Sequence, residues 1–287
     1  MLRPILFTPG SSYPAISVTG RWCGLMCSYC RARYLRGMLD VEVLRRPGML
    51  GEWVGVLVSG GFDRYGRLPV PGWLPGVLRE LRRRGLIVSV HCLNPEGGCE
   101  RLILEDAVDY VDLEVPVSRR HVELMGLGEG LPDAMEWLER MRVEYAPHLL
   151  IGLPGVDESE ELTAVDRLTS YVFDVAVFIV FIPTKGTPLW CASAPGPGRV
   201  LRVLRYASDR LGAEIALGCM RPYALKRMLD PFLAAVGGLV DRLATPYRGL
   251  ARVSSAYRVL QACCSIPSRF LTSVPRSRLG PRRAPSS

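Results

Sequence analysis

Three cysteines lie close together in the segment RWCGLMCSYCRARY, residues 21–34. Their spacing is Cys23-x3-Cys27-x2-Cys30, and the next cysteine in the chain is Cys92. Three thiolates on one short loop can reach three corners of a cubic iron–sulfur cluster and leave the fourth iron without a protein ligand. The sequence therefore predicts a [4Fe-4S] cluster that keeps one iron open for chemistry.

Three other interpretations of these cysteines stay open at this point. A structural zinc site needs four ligands in a closed tetrahedron, and the nearest further donors are His91 and Cys92. Cys27 and Cys30 alone have the spacing of a thioredoxin-like redox pair, which leaves Cys23 without a role. Three buried core cysteines are the remaining alternative, although the flanking glycine and arginine residues indicate a loop.

The elements that must position this loop follow a repeating pattern from residue 14 to residue 222. Near-continuous apolar strands that alternate with helices are typical of parallel βαβ units. The chain has 287 residues, and no linker interrupts this region, which favours one α/β domain, a partial (β/α)6-type TIM barrel with mostly parallel strands. We predict strands over 14–20, 52–61, 86–91, 108–117, 143–155, 173–183 and 213–222, and helices over 31–46, 72–85, 95–107, 132–141, 157–172 and 198–212.

The unusual residues of the sequence follow the carboxyl ends of these predicted strands. In parallel barrels the chemistry is found at that end. The cysteine loop comes after the first strand, and glycine-rich turns come after the second and fifth. His91 and Cys92 end the third strand, and Cys219 ends the seventh. We therefore expect these groups to surround one mouth, with His148 inside the fifth strand as a core histidine.

The cysteine loop, with Tyr29 just before its third cysteine, resembles the radical S-adenosylmethionine (radical SAM) superfamily. The resemblance implies that Cys23, Cys27 and Cys30 hold a [4Fe-4S] cluster whose open iron chelates SAM. It also implies one-electron cleavage of SAM to methionine and a 5′-deoxyadenosyl radical, which abstracts hydrogen from an unactivated carbon. The cofactor supplies the reactivity, and the protein supplies position and a closed chamber.

Two further segments resemble the SAM contacts of the superfamily. SGGF, residues 59–62, stands where relatives carry a GGE-like motif, and Phe62 replaces the acidic residue, so backbone carbonyls would make this contact. The segment IGLPG matches the strand-five segment that lies against adenine. Simple glycine turns, and a solvent-facing role for Glu114, are the alternatives. The residues that the resemblance implies for SAM are Tyr29, Ser59, Gly60, Gly61, Glu114, Ile151, Gly152 and Leu153.

A narrower resemblance rests on the phrases PAISVTG, SGG, PHLLIGLPG, IPTKGTPL and LGCMRP, which are spread over residues 14–222. They are similar to a biotin-synthase-like group that includes one subunit of the split, two-protein lipoyl synthase. This resemblance implies sulfur insertion at an unactivated C–H bond, with a second, auxiliary [4Fe-4S] cluster as the sulfur donor. It also implies an octanoylated lysine of a carrier protein or peptide as substrate and a second radical SAM subunit as partner.

The auxiliary cluster would need ligands outside the cysteine loop. The candidates are Cys219, Cys92 and Arg221, which lies beside Cys219 in LGCMRP. Lone cysteines are more often small buried hydrophobic residues. Two alternative functions therefore stay open: a radical SAM enzyme of other chemistry, such as methylation, rearrangement or peptide modification, and a cluster-binding partner without catalysis.

Charge and composition define the ends of the chain. The net charge is +8, and the last 19 residues, 269–287, carry five arginines and no acidic residue. We predict an N-terminal extension over 1–13, the barrel over 14–225, a helical extension over 226–268 and a disordered basic tail over 269–287. No apolar run reaches the roughly 18 residues of a membrane span, and the N-terminus lacks signal-peptide features. We expect a soluble cytoplasmic protein with neither membrane nor nucleic acid as partner.

Overall fold

The computed structural model describes residues 3–46, 51–128, 131–250 and 256–276. Within these ranges one sheet contains eleven strands in the order β11-β1-β10-β9-β8-β7-β6-β5-β4-β2-β3, and neighbouring strands are parallel. The strands are β1 Ile5–Phe7, β2 Ala15–Ser17, β3 Leu39–Asp40, β4 Gly55–Ser59, β5 Ile87–Cys92, β6 Tyr110–Glu114, β7 Tyr145–Ile151, β8 Val175–Val180, β9 Glu214–Leu217, β10 Arg242–Ala244 and β11 Val259–Leu260. The predicted α/β fold, a partial parallel barrel, is confirmed.

Helices connect the parallel strands, as a parallel sheet requires. They are α1 Leu74–Arg83, α2 Glu100–Leu104, α3 Arg119–Met125, α4 Ala134–Arg140, α5 Glu158–Leu168, α6 Pro197–Arg210 and α7 Tyr223–Val236. Among the described residues, no helix combines the length and the apolar character that crossing a membrane would need.

Side chains along each strand alternate between two apolar layers. Val56 and Val58 of β4 belong to the larger layer, which also holds the buried faces of the helices. Leu57 of the same strand contacts the second layer, whose members come almost entirely from strands and the C-terminal segment. This alternation follows from the two-residue period of a strand. The second layer is therefore the interior of the barrel.

The predicted helix over 31–46 is wrong. Arg31 and Ala32 have positive φ angles of 50° and 58°, which a helix cannot contain. The chain instead forms two 3-10 turns, Arg33–Gly37 and Val41–Arg45, on either side of the short strand β3. This segment leads away from the cysteine loop and crosses to the β8 side, where the hydroxyls of Tyr34 and Thr184 lie 2.9 Å apart.

The two ends of the described chain close the bottom of the barrel. β1, inside the predicted N-terminal extension, pairs with both β10 and β11. Arg242 is wholly buried, forms an ion pair with Glu214 and donates to the carbonyl oxygen of Cys264 at 3.0 Å. Leu271 and Val274 are buried in the interior layer. Residues 269–276 of the predicted tail therefore pack against the barrel, and residues 277–287 lie outside the described residues.

Candidate cluster and SAM site

The cysteine loop lies across the mouth of the barrel and is held there by backbone hydrogen bonds. The N–H of Gly24 donates to Phe62 O at 2.7 Å, just after β4. The N–H of Ser28 donates to Leu124 O of α3 at 2.8 Å, and Ser28 O accepts from Leu189 N at 3.3 Å. Three elements that follow different strands therefore fix the loop that carries the thiols.

The glycines after β4 allow this close approach. A Cβ atom at Gly61 would overlap Trp22 O and the Cα of Cys23. Thr19 links the end of β4 to the cysteine loop. Its hydroxyl accepts a hydrogen bond from Gly61 N at 2.7 Å and donates one to Trp22 O at 2.8 Å. Glycine is thus needed at position 61 so that the first cysteine can lie directly on the end of the strand.

The three thiols form one electrostatic group. Burial, followed by the thiols of Cys30 and Cys23, raises the pKa of Cys27 to about 12. Burial also raises the pKa of Cys30. Thiolates crowded in this way become stable once cationic iron binds them, so the donor set fits an iron–sulfur cluster. No group of three or more His, Cys, Asp or Glu among the described residues is arranged around a single metal ion. A cubane does not need such convergence, since each sulfur binds a different iron.

Tyr29, one of the residues assigned to SAM, interacts with the Cys27 thiol, and its hydroxyl lies 3.1 Å from His121 Nε2. Burial raises the pKa of Tyr29 well above its usual value, so the hydroxyl keeps its proton. His121 itself was missed by sequence reasoning. Ser118 and Gly126 are cap residues that could have revealed its helix, α3, because they flank it at the usual positions.

Glu114 ends β6 inside the mouth and is surrounded by every histidine of the chain. The protein has three histidines, and His91, His121 and His148 all act electrostatically on Glu114. Burial opposes its ionisation, but the interactions with His91, His121 and His148 together outweigh burial and lower the pKa of Glu114. Its Oε2 lies 3.6 Å from His91 Nε2. Ser59, another residue assigned to SAM, lies 3.3 Å from the other side of the His91 ring, at Nδ1.

The turn over Ile151, Gly152 and Leu153 is buried and is held by a charged pair that the sequence did not reveal as functional. Gly152 has φ 78° and donates its N–H to Glu161 Oε1 at 2.5 Å. Arg199 pairs with the same carboxylate at 2.9 Å. Glu161 is in the first turn of α5, where the helix dipole also favours acidic residues. The pair fixes the turn that the resemblance places against adenine.

Two of the three candidates for an auxiliary cluster are engaged elsewhere. Cys92 is bonded to Cys99 in a disulfide and packs in the outer layer, because its neighbour His91 takes the inner face of β5. Arg221 is buried against Asp230, with Nη2 to Oδ2 at 2.8 Å. Both residues therefore have other partners in this structure, and their assignment to an auxiliary cluster stays a prediction.

Cys219 follows β9 at the mouth, as predicted. The residue as a whole is exposed, while burial of the sulfur, followed by the thiol of Cys263, raises its pKa. Cys263 was not a candidate in the sequence, because it lies in a C-terminal segment with no strand or helix periodicity. The fold nevertheless brings these two thiols into interaction range.

Two relatives in sequence support the resemblance of this chain to the radical SAM superfamily, which its cysteine loop at the mouth of a parallel barrel first indicated. Ribosomal protein uS12 methylthiotransferase RimO of Acetivibrio thermocellus is 27% identical over 207 residues, 64% of this chain and 45% of the relative. The tRNA-2-methylthio-N(6)-dimethylallyladenosine synthase of Dictyoglomus thermophilum is 24% identical over 190 residues, 58% of this chain and 42% of the relative. The matched part is thus less than half of each relative.

A solved structure supports the fold. Methylornithine synthase (PylB) superposes with a TM-score of 0.54 at 13% identity, over 85% of this chain and 72% of that chain. At this identity the likeness concerns the barrel and not the substrate. No family model matches the chain.

Proposed function

We propose that this protein cleaves SAM at a [4Fe-4S] cluster and uses the resulting radical to replace a C–H bond by a C–S bond. The observation that carries the first part is the set of three interacting thiols on one loop at the carboxyl end of a parallel barrel. When bound, the cluster and SAM supply a 5′-deoxyadenosyl radical.

The residues of the chain would hold and orient this cofactor pair. Cys23, Cys27 and Cys30 are the cluster ligands. The backbone of Ser59, Gly60 and Gly61 is available to the amine of SAM, and Glu114 to its ribose or carboxylate. Ile151, Gly152 and Leu153 would lie against adenine, with Tyr29 beside the cluster. The packed barrel floor excludes water from below, which protects a reactive intermediate.

Sulfur insertion is supported by the names of both relatives in sequence, a methylthiotransferase and a 2-methylthio-adenosine synthase. A second [4Fe-4S] cluster would supply the sulfur, and Cys219 and Cys263, whose thiols interact, would be candidate ligands for it. The octanoyl-lysine of a carrier protein or peptide, implied by the lipoyl-synthase-like phrases, is one acceptor of this class. A methylthiolated acceptor is the second candidate, because both relatives carry that chemistry in their names.

The proposed partners, a carrier protein and a second radical SAM subunit, have a candidate contact surface beside the cysteine loop. A cleft of about 480 Å³ there is lined by Arg31, Arg33 and Arg36, with Trp190 at its edge and no acidic residue in its lining. The side chain of Trp190 is exposed. Such a surface suits an acidic carrier. Arg36→Glu should weaken binding of an octanoylated acidic carrier, measured by titration calorimetry, whereas Arg140→Glu on α4, outside this cleft, should not.

Anaerobic reconstitution tests the proposal. Iron and sulfide analysis should give about four irons per chain for one [4Fe-4S] cluster and about eight for two. With dithionite and SAM, the protein should form 5′-deoxyadenosine, and Cys27→Ala should abolish both the cluster and this product. Cys191→Ser, at an exposed free cysteine, is the matched control and should retain both.

Acceptor assays then separate the chemistries. An octanoyl-lysine peptide, with and without a candidate second subunit, should gain sulfur if the acceptor is of the lipoyl type. Formation of 5′-deoxyadenosine with only four irons and no thiolated product would favour the other radical chemistries. Absence of 5′-deoxyadenosine from a fully loaded cluster would leave only a cluster-binding partner role.

A further inference from the structure

The carboxylate of Asp112 is buried inside the barrel without a hydrogen-bond partner. It lies on β6 one layer below Glu114, and its side chain is 3% exposed. Among the described residues, no group donates a hydrogen bond to Oδ1 or Oδ2, although His148 Nε2 lies within ion-pair distance of Oδ1. A buried carboxylate without hydrogen bonds is costly, and such a group in a native structure calls for an explanation such as a ligand or another function.

When its imidazole is neutral, the group that faces Asp112 is also an acceptor. His148 Nδ1 lies 3.0 Å from Ala146 O, and a carbonyl oxygen can only accept, so the Nδ1 position carries a proton. In the neutral imidazole the other nitrogen, Nε2, then has a lone pair. This Nε2 is 3.8 Å from Asp112 Oδ1. With the imidazole neutral, a carboxylate and an imidazole lone pair therefore face each other, and no described residue donates a hydrogen bond to the carboxylate.

The hydroxyl groups below Asp112 are bonded to one another. Tyr13 Oη lies 3.3 Å from Tyr110 Oη and 3.4 Å from Ser89 Oγ. Tyr110 Oη lies 3.2 Å from Ser265 Oγ. These hydroxyl groups are bonded to one another, and none of them donates to Asp112.

The route from the mouth to Asp112 is graded in exposure. The side chain of His91 is 26% exposed, and Glu114 beside it is 12% exposed. His148 is 16% exposed, and Asp112 is 3% exposed. Asp112 is therefore the most buried of these four side chains, and it lies below the layer that the proposed function assigns to SAM.

We infer that the gap between Asp112 and His148 binds the protonated primary amine of a substrate. An ammonium group has three N–H donors and a positive charge, which match two carboxylate oxygens and one imidazole lone pair. A single metal ion is a poorer match, since no group of three or more His, Cys, Asp or Glu among the described residues is arranged around one ion. The inference rests on the proposed function in taking the barrel interior as the substrate chamber.

An amine site at Asp112 would limit the class of substrates that can accept the sulfur. With its ammonium group at Asp112, a substrate would place carbons farther along its chain between that layer and the cysteine loop, where hydrogen abstraction is proposed. Substrates with a free alkyl amine would pair the buried charge. An octanoyl amide would leave Asp112 without a cation, so among C–H acceptors the amine-bearing class is favoured.

Ligand-induced stabilisation of the reconstituted protein, in phosphate buffer free of amines, tests the site without radical chemistry. The probe is n-butylammonium chloride. n-Butanol controls for the alkyl chain, and tetramethylammonium chloride controls for a cation without N–H donors. We expect a saturable rise in the unfolding temperature with n-butylammonium alone. Asp112→Asn should weaken this binding at least tenfold. Because SAM is not cleaved in this assay, its result is independent of 5′-deoxyadenosine formation.

A second variant covers the case in which Asp112→Asn does not fold. His148→Gln places amide N–H donors toward Asp112 and should also weaken n-butylammonium binding at least tenfold. The inference is overturned if the wild-type protein shows no saturable shift, or if either variant binds the probe as tightly as the wild type. A shift of equal size with tetramethylammonium would overturn it as well, because the site would then recognise charge without donors.

Discussion

The hydroxyl of Tyr29 lies 3.1 Å from Nε2 of His121, which joins the cysteine loop to helix α3. The contacts of the His121 ring determine which of the two groups donates this hydrogen bond. Val117 N–H donates to His121 Nδ1 at 3.3 Å, so Nδ1 carries no proton. Burial lowers the pKa of His121 to about 4, and the neutral ring therefore has its proton on Nε2. His121 donates to Tyr29, whose own proton is left for the sulfur of Cys27.

Tyr29→Phe should therefore lower the reduction potential of the cluster. Hydrogen bonds to cluster sulfurs are among the determinants of that potential. The reduced cluster carries more negative charge than the oxidised one, so losing a donor to Cys27 would destabilise the reduced state more. We expect a lower midpoint in a redox titration followed by electron paramagnetic resonance, with an unchanged iron content.

The matched control for this variant is Tyr34→Phe. Tyr34 follows the same loop, but its hydroxyl lies beside that of Thr184. The midpoint potential of this variant should equal that of the wild type. Equal potentials for Tyr29→Phe and the wild type would show that Tyr29 does not donate to the cluster.

Gly61→Ala should prevent cluster assembly. The added methyl group would overlap Trp22 O and the backbone of Cys23, so the loop would have to leave the end of β4. We expect loss of iron and of the visible absorption after reconstitution. Gly76→Ala in α1 is the control, because nothing lies within 4 Å of its Cβ position, and in a helix this change should stabilise the protein by about 0.5–1 kcal/mol. Normal iron content in Gly61→Ala would contradict the prediction.

The barrel and its mouth could be predicted because their signals are local. Continuous apolar strands and glycines at strand ends marked β4 to β9, and the spacing of Cys23, Cys27 and Cys30 marked the loop. β1 has three residues and pairs only with strands more than 230 positions away, so no periodicity could reveal it. The helix predicted over 31–46 failed because positive φ angles follow from how the loop ends, and composition does not encode them.

The polar residues inside the barrel could be predicted only in part from the sequence. Tyr110, Asp112 and Glu114 share one face of β6 by the two-residue period, so an inward Asp112 could have been found from the strand. The lack of a hydrogen-bond partner for Asp112 could not have been found from the sequence, because it depends on the orientation of His148 on the next strand. The disulfide of Cys92 and the pairing of Arg221 depend likewise on contacts that spacing does not specify.

Acid should destabilise the protein through Asp133, which caps α4. Burial opposes ionisation of Asp133, but hydrogen bonds from Tyr171 and Arg167 outweigh it and lower its pKa. A carboxylate with a depressed folded-state pKa stabilises the fold above its unfolded pKa of about 3.9 and loses this contribution as pH falls through the lower folded value. Asp133→Asn should reduce the stability measured by urea unfolding at pH 7, and the difference from wild type should shrink below about pH 4. A constant difference across that range would exclude an electrostatic role.

Arg221→Ala separates a structural arginine from a cluster ligand. The guanidinium of Arg221 and the carboxylate of Asp230 are both fully buried and lie 2.8 Å apart, and Asp230 also accepts from Tyr247 N at 2.6 Å. Removing one partner of a buried pair leaves an uncompensated charge and costs about 3–5 kcal/mol. We expect this loss in urea unfolding of the iron-free protein, where no cluster contributes. The iron content of the reconstituted variant should match that of the wild type at a temperature where both are folded. If the variant instead bound half as much iron as the wild type, with little change in its stability, Arg221 would be a ligand of a second cluster.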